Sequence, residues 1–357
     1  MKVCILGDGL TSLALAKALV NNGIHTDVFK SKNNKKKDKS RTLGISKSNI
    51  EFFNKKILNI ENLLWDIKKI EIYSENLNNE KILDFKKDDQ RLFSVIKNHE
   101  LIFNLTEKLK KNKFLRFKKS FNDFDSLKKN YQLIINCDVS NKISKNFFHK
   151  KFSKNYNSYA YTSVIEHEKI SKNNIATQIF TKKGPIAFLP ISNNKTSVVY
   201  SLNGNKRVEI ESLVRNFNTK YKIKKVEKFN CFELKSSNLR TYYYKNILAF
   251  GDLLHKIHPL AGQGFNMSIR DIKVLLKIIE SKIDLGLNLD SSICLEFEKH
   301  NKHKNLIFSN GIDFIHELFS IESKINRNIL SKSIKFFANN KISNNFFIKF
   351  ADEGKLI

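Results

Sequence analysis

The residues best suited to carry chemistry lie between positions 251 and 279. An apolar run, NILAF, occupies positions 246–250, and a glycine-rich loop and a long amphipathic segment follow it. This pattern predicts a buried strand, a loop and a helix. Asp252 can accept hydrogen bonds from hydroxyl groups, and Gly251, Gly262 and Gly264 let the backbone approach a ligand closely. Free N–H groups at the start of the helix attract an anionic or electron-rich group. The stretch therefore predicts a site for a polyhydroxylated ligand that also carries an electron-rich group.

A second glycine-rich turn lies near the N-terminus. Residues 2–29 contain a predicted strand, helix and strand, with Gly7 and Gly9 in the first turn and the small Ser12 where the helix packs closely on the strand. A turn of this kind seats a diphosphate on the N-terminus of the helix. Lys30 ends the second strand, where dinucleotide-binding folds carry an acidic residue on the ribose, and we assign it no ribose contact.

The stretch from position 251 resembles the second flavin motif of the FAD-dependent aromatic hydroxylases, Gly-Asp-Ala-Ala-His-x-x-x-Pro-x-x-Gly-Gln-Gly-x-Asn. The matching positions are Gly251, Asp252, His255, Pro259, Gly262, Gln263, Gly264 and Asn266. The segment IHPLAGQGFN, followed by Arg270 and Asp271, is similar to the variant of the ubiquinone-biosynthesis monooxygenases. The resemblance implies that Asp252 binds the ribitol chain of FAD and that the loop and the helix start face the flavin ring.

The same resemblance implies site residues in other parts of the chain. The cofactor-binding positions are Gly7, Gly9, Ser12, Arg41, Asn98, Asp138, Gly251, Asp252, Gly264 and Asn266, and the catalytic positions are His255, Pro259, Gly262 and Gln263. An arginine beside a diphosphate is chemically apt, although Arg41 is also compatible with a surface residue at a helix end. Val139 replaces a glycine of the family motif around Asp138, which leaves open whether NAD(P)H or a separate reductase reduces the flavin.

The fold class implied is α/β, with a Rossmann-like FAD-binding domain of the glutathione-reductase type, an inserted mixed β-sheet substrate domain and a C-terminal helical tail. The expected domains are residues 1–64, 91–150 and 245–290 for FAD binding, 65–90 and 151–244 for the substrate, and 291–357 for the helical region. We expect an apolar, aromatic-lined pocket that suits a prenylated ring. Each of Phe180, Phe188 and Tyr200 fits either the wall of that pocket or the core.

The apolar spacing near the end of the substrate domain and in the tail predicts five further elements. They are a helix over residues 208–221, a strand over 226–234, and helical stretches in the tail over 292–308, 312–319 and 329–337. Several Phe residues alternate with Lys in the tail. This pattern fits packing on the FAD-binding domain, and contact with an anionic membrane surface stays an alternative.

The formal net charge of +29 arises from 64 Lys and Arg against 35 Asp and Glu. The lysines are spread along the chain among many Asn and Ile, which indicates a general compositional bias, and no recognised nucleic-acid module occurs. Four cysteines without a CxxC pair indicate buried thiols in a reducing compartment. No apolar run approaches the about 20 residues that span a bilayer, and no room is left for a cleavable signal, so a cytoplasmic protein is expected.

No metal site is expected, because His255 and His258 have no third ligand near them in the sequence. The implied reaction is FAD-dependent hydroxylation of an aromatic ring of a prenylated ubiquinone precursor with O2, and no side-chain general base can be named. Two alternatives stay open. One is a degenerate paralogue that acts as a non-catalytic partner in a ubiquinone-synthesis complex, which Lys30 and Val139 favour. The other is a flavin reductase or halogenase-like enzyme, which the lack of a halogenase Trp motif disfavours.

Overall fold

The structure is a computed structural model that describes residues 2–32, 39–86, 90–119, 121, 124–204, 209–258, 262–325, 352 and 354. For residues 318–325 only the backbone is described. In chain order the strands are β1 (Lys2–Leu6), β2 (His25–Phe29), β3 (Thr42–Ser46), β4 (Trp65–Ile67), β5 (Lys69–Ser74), β6 (Glu80–Lys86), β7 (Phe93–Lys97), β8 (Leu115–Lys118), β9 (Leu133–Asn136), β10 (Lys151–His167), β11 (Ile175–Thr181), β12 (Gly184–Pro190), β13 (Lys195–Asn203), β14 (Ile223–Val226), β15 (Asn230–Leu239), β16 (Tyr243–Tyr244), β17 (Ile247–Ala249) and β18 (His255–Lys256). The α-helices are α1 (Leu10–Asn21), α2 (Lys47–Lys56), α3 (Asn98–Lys110), α4 (Phe124–Asn130), α5 (Lys142–Phe147), α6 (Ile210–Phe217), α7 (Gln263–Asp284) and α8 (Ser291–Ile325).

A six-stranded sheet has the order β16-β17-β9-β1-β2-β8, and all its pairs except β16 with β17 are parallel. Its central strands are continuous apolar runs that are buried on both faces, as parallel strands covered by helices must be. The strand, helix and strand predicted over residues 2–29 are confirmed within a residue at each end. The loops that follow β1, β2, β9 and β17 therefore leave the sheet at one edge.

A nine-stranded mixed sheet contains β5, β6, β10–β15 and β18, and a three-stranded sheet has the order β3-β7-β4. One face of the large sheet packs with α6 around a core that includes Phe188 and Tyr200. The three-stranded sheet contributes Ile67 and Val95 to a second core on the opposite face. Phe188 and Tyr200 are therefore core residues, which was one of their two expected roles.

Two predictions about helices are wrong. The tail helices expected over 292–308 and 312–319 are one continuous helix, α8, because Phe308 and Ile312 lie four residues apart and pack into the same cluster as Met267. The helical stretch expected over 329–337 lies outside the described residues. The helix expected over 208–221 ends at Phe217, because the side chain of Asn218 bonds the backbone of Tyr221 in a turn.

The end of the large sheet also differs from the sequence expectation. The single strand expected over 226–234 is two strands, β14 and β15, which both pair with β10. One expected buried thiol, Cys231, lies on β15 and is exposed, since this part of the strand has an open face. Among the described residues, no helix combines the length and the apolar character that crossing a membrane requires.

Candidate functional site

The carboxyl edge of the six-stranded sheet brings distant predicted residues together. Gly7 follows β1 with φ +108°, and a Cβ there would lie 3.3 Å from the backbone N of Asp138. Gly251 follows β17 with φ +60°, and a Cβ there would lie 3.1 Å from the side chain of Thr11 on α1. Because both positions favour glycine, the loops can pack closely around the start of α1. This edge is where open α/β sheets bind ligands.

The N-terminus of α1 has no side-chain cap. The N-cap residue is Gly9, the first turn holds no acidic residue, and a Cβ at Gly9 would meet nothing within 4 Å. Ser12 is buried and forms a hydrogen bond with the thiol of Cys137, so it joins α1 to the end of β9. Uncapped N–H groups beside open space suit a diphosphate, as the sequence predicts for this turn.

Asp252 is an exposed carboxylate at the same edge, and it makes no hydrogen bond to any residue that the structure describes. It lies close enough to Cys137 to act on its ionisation. Burial raises the pKa of that thiol to about 12, the hydrogen bond with Ser12 opposes the rise, and the charges of Asp252 and Asp138 add to it. Asp252, Asp138 and Ser12 therefore all act on the same thiol just after β9.

The loop at Asp138 is held by hydrogen bonds between its own residues. The Oδ1 atom of Asp138 accepts hydrogen bonds from the backbone N of Ser140 at 2.8 Å and from its Oγ at 2.7 Å. Val139 has no positive φ and is 57% exposed. The replacement of the family's glycine by Val139 therefore strains no turn, and its side chain faces the solvent or a ligand.

Arg41 and Asn98 are neighbours although 57 positions separate them in the sequence. The backbone N of Asn98 donates to the carbonyl of Arg41 at 3.0 Å, next to the β3–β7 ladder. The residues on either side of Arg41 anchor to the large sheet, since Ser40 contacts Thr162 at 3.1 Å and the hydroxyl of Thr42 donates to the Oγ of Ser197 at 2.8 Å. The exposed Arg41 is thus held by its backbone between the three-stranded and the nine-stranded sheets.

The start of α7 has the features of a second anion-facing helix end. Gly262 is its N-cap with φ +66°, no described side chain caps it, and a Cβ there would lie 3.1 Å from the backbone N of Gly44 on β3. The Oε1 atom of Gln263 is buried and has no hydrogen-bond partner among the described residues. Gly264 borders open space. An orphaned acceptor and free N–H groups beside a glycine fit the edge of a flavin ring, which carries both donors and acceptors.

Asn266 binds protein atoms with its side chain. Its Oδ1 accepts from the backbone N of Ser46 and from the Nδ2 of Asn49, both at 3.0 Å, and its Nδ2 donates to the carbonyl of Gly44 at 2.9 Å. The side chain is buried. Asn266 therefore docks the start of α7 on β3 and α2, and a direct contact with FAD stays a prediction.

His255 lies in the interior, 3% exposed, and its Nε2 is 2.5 Å from the Oδ2 of Asp271 on α7. The other carboxylate oxygen of Asp271 accepts from Asn301 at 2.8 Å and from Asn305 at 3.1 Å, both on α8. This network joins β18, α7 and α8, which gives His255 a structural role, and its catalytic role stays a prediction. Pro259, another predicted catalytic residue, lies outside the described residues.

Sequence reasoning missed Asp8, which stands between the two glycines of the first turn. Its Oδ1 accepts a hydrogen bond from the backbone N of Ser31 at 3.2 Å, directly after Lys30. A carboxylate thus lies at the end of β2, where dinucleotide-binding folds place the acid that binds the ribose. The available signal was the unusual charge within the glycine turn.

These features together define the class of fold, and comparisons with known proteins agree with it. A family model described as FAD binding domain matches residues 202–284. The solved structure of p-nitrophenol 4-monooxygenase PnpA from Pseudomonas putida superposes with a TM-score of 0.76 at 11% identity, covering 99% of this chain and 97% of that one. The prediction of an α/β fold with mixed sheets and helices, like that of FAD-dependent monooxygenases, is confirmed, and so is the prediction of FAD as cofactor.

Among curated proteins, the chain is similar to ubiquinone biosynthesis monooxygenase COQ6 of Schizosaccharomyces pombe, at 21% identity over 249 residues, which cover 56% of this chain and 52% of the relative. It is also similar to ubiquinone hydroxylase UbiL of Rhodospirillum rubrum, at 27% identity over 176 residues, or 46% of this chain and 41% of the relative. The predicted resemblance to the ubiquinone-biosynthesis monooxygenases is confirmed. The match spans about half the length of these relatives or less.

Proposed function

We propose that this protein is an FAD-dependent monooxygenase that hydroxylates the aromatic ring of a prenylated ubiquinone precursor. The observation that carries the proposal is the uncapped N-terminus of α1, where Thr11 packs against Gly251 beside the exposed Asp252. O2 is the second substrate, and NAD(P)H or a separate reductase supplies the electrons. Residues 1–64, 91–150 and 245–290 would bind FAD, 65–90 and 151–244 the substrate, and 291–357 would form the tail.

Different parts of the site would bind different parts of FAD. The N-terminus of α1 would bind the diphosphate, Asp252 would accept hydrogen bonds from the ribitol hydroxyls, and N–H groups at the start of α7 would face the electron-rich edge of the ring. FAD, when bound, supplies the redox chemistry with O2. We also propose a cytoplasmic location with peripheral contact at the inner face of a membrane. A place in a ubiquinone-synthesis complex is proposed as well, and the names of the ubiquinone-biosynthesis relatives support it.

The visible absorption spectrum of the purified protein, with the released cofactor identified, tests this proposal. Bound FAD that bleaches with NAD(P)H under anaerobic conditions would support a complete monooxygenase. FAD that stays oxidised would indicate a separate reductase. Protein that binds no flavin after incubation with excess FAD would contradict the proposal and favour the degenerate partner, for which Lys30 remains the argument.

Asp8 gives a prediction about the adenosine end of FAD. We expect Asp8→Ala to weaken FAD binding by about 3- to 10-fold, because it removes one charged acceptor near the ribose. Asp8→Asn keeps an oxygen that can accept from the N–H of Ser31, so it should lose less affinity for FAD than Asp8→Ala does. Titration of flavin-free protein with FAD, followed by quenching of flavin fluorescence, measures both values. Equal affinity of Asp8→Ala and the unaltered protein would refute the ribose contact, and Asp284→Ala, at the far end of α7, is the control.

A further inference from the structure

One row of side chains crosses the large sheet and points away from α6. Cross-strand pairing joins, in order, Thr162, Val199, Ala187, Gln178 and Ile72, which we call the central row. Residues that pair directly across neighbouring strands share one face of a sheet. The sequence neighbours Ile179, Ile186 and Tyr200 lie on the other face, in the core with α6. The central row therefore belongs to the face opposite that core.

The central row begins beside the candidate FAD site. Thr162 Oγ1 lies 3.1 Å from the Oγ of Ser40, the residue before Arg41. On one side the row borders residues that the three-stranded sheet covers, among them Val164 and Ala176. The four members beyond Thr162 are each half-buried. Beyond the buried Thr162, an accessible strip thus runs across four strands, roughly 14 Å at the usual strand spacing.

Gln178 is the polar exception among the half-buried members. Its neighbours in the row are Ala187 and Ile72, and its side-chain amide makes no hydrogen bond to any described residue. An amide with free donors and an acceptor in an apolar strip is suited to one polar substituent on an otherwise apolar ligand.

We propose that the central row is the substrate wall, with an aromatic ring over Val199 and Ala187 and the oxygen substituent of the ring hydrogen-bonded to the amide of Gln178. The ligand class is an alkylated phenol, since the strip is longer than one ring and apolar elsewhere. This inference rests on the proposed function for the identity of the reaction. The binding geometry itself is independent of FAD.

The test compares two probes that differ by one hydroxyl group, 2-hexylphenol and hexylbenzene. Trp65, the single tryptophan, packs against the cluster that contains Val164 and Ala176, so its fluorescence is used to report binding. We expect the full-length protein to bind 2-hexylphenol about 3- to 10-fold more tightly than hexylbenzene. Gln178→Leu should abolish this preference while hexylbenzene still binds. Ala187→Phe should weaken both probes by filling the strip, and Thr177→Val, on the same strand but the other face, should change neither.

Three results would overturn the inference. They are no binding of either probe, an unchanged hydroxyl preference in Gln178→Leu, and normal binding by Ala187→Phe. Because Gln178 is half-buried without a protein partner, its replacement is not expected to unfold the protein, and thermal melts of each variant check this. FAD content is measured on the same samples. If the phenol binds at the central row but the protein holds no flavin, the proposed function is refuted and the assignment of the substrate wall stands. If FAD is bound but the hydroxyl preference is absent, the substrate wall is refuted and the proposed function stands.

Discussion

Asp252→Ala is expected to yield a folded protein that no longer retains FAD through purification. The carboxylate is exposed and makes no hydrogen bond within the described chain, so its removal should change the free energy of unfolding of the flavin-free protein by less than about 0.5 kcal/mol. Each hydrogen bond from a ligand to a charged group contributes about 1.5–3 kcal/mol. Loss of two such bonds to the ribitol would weaken FAD binding by at least about 100-fold.

The measurement is the ratio of flavin to protein absorbance after gel filtration, together with the affinity of the flavin-free protein for added FAD. Asp252→Asn keeps one acceptor oxygen without the charge, so its affinity for FAD should lie between those of Asp252→Ala and the unaltered protein. Full FAD occupancy in Asp252→Ala would remove the main support for the proposed function. Loss of flavin with a lowered melting temperature would instead assign Asp252 a folding role that its exposure does not suggest.

The sequence was informative wherever one segment alone determines the outcome. The strand–turn–helix at Gly7 and the strand ending before Gly251 follow from continuous apolar runs and from glycines that the structure shows at positive φ. Resemblance to a known motif then selected Asp138 and Asp252 from many acidic residues. Gly7, Asp138, Gly251 and Asp252 all lie at one edge of the sheet, because the parallel strands that precede them end there together.

Contacts between distant segments were not predictable in the same way. The role of Asn266 depends on Ser46, 220 positions away, and the role of Asp8 depends on how β2 ends beside the first turn. The continuity of α8 also depends on the burial of Phe308 and Ile312 against Ile257 and Met267, which outweighs a polar segment with a glycine. Such outcomes follow from tertiary packing, which no local pattern contains.

For His255, the role implied by the family resemblance differs from the role that the structure indicates. A histidine in a flavin loop suggests proton transfer, yet this ring lies in the interior and contacts Asp271 at 2.5 Å. Asp271 in turn accepts hydrogen bonds from Asn301 and Asn305, so one carboxylate satisfies three buried donors on two elements. The network fixes β18 against α7 and α8, immediately before the loop that would face the flavin.

Asp271→Ala is therefore expected to lower the free energy of unfolding by about 3–5 kcal/mol, because it leaves buried partners unpaired. Glu280→Ala is the matched control on the same helix. It removes only the partly exposed ion pair with Lys56 and should cost at most about 1 kcal/mol. Denaturant unfolding of the flavin-free proteins gives both values. A loss below 1 kcal/mol for Asp271→Ala would contradict the structural role of the network.

His255→Gln separates the structural role from the catalytic one, because glutamine can still donate a hydrogen bond to Asp271 but cannot carry a proton in turnover at neutral pH. If His255 only holds the interior together, this variant should unfold at nearly the same denaturant concentration as the unaltered protein and keep its turnover. Turnover lost at unchanged stability and unchanged FAD content would restore the catalytic assignment. Since the ring is 3% exposed and its Nε2 faces Asp271, we expect the first result.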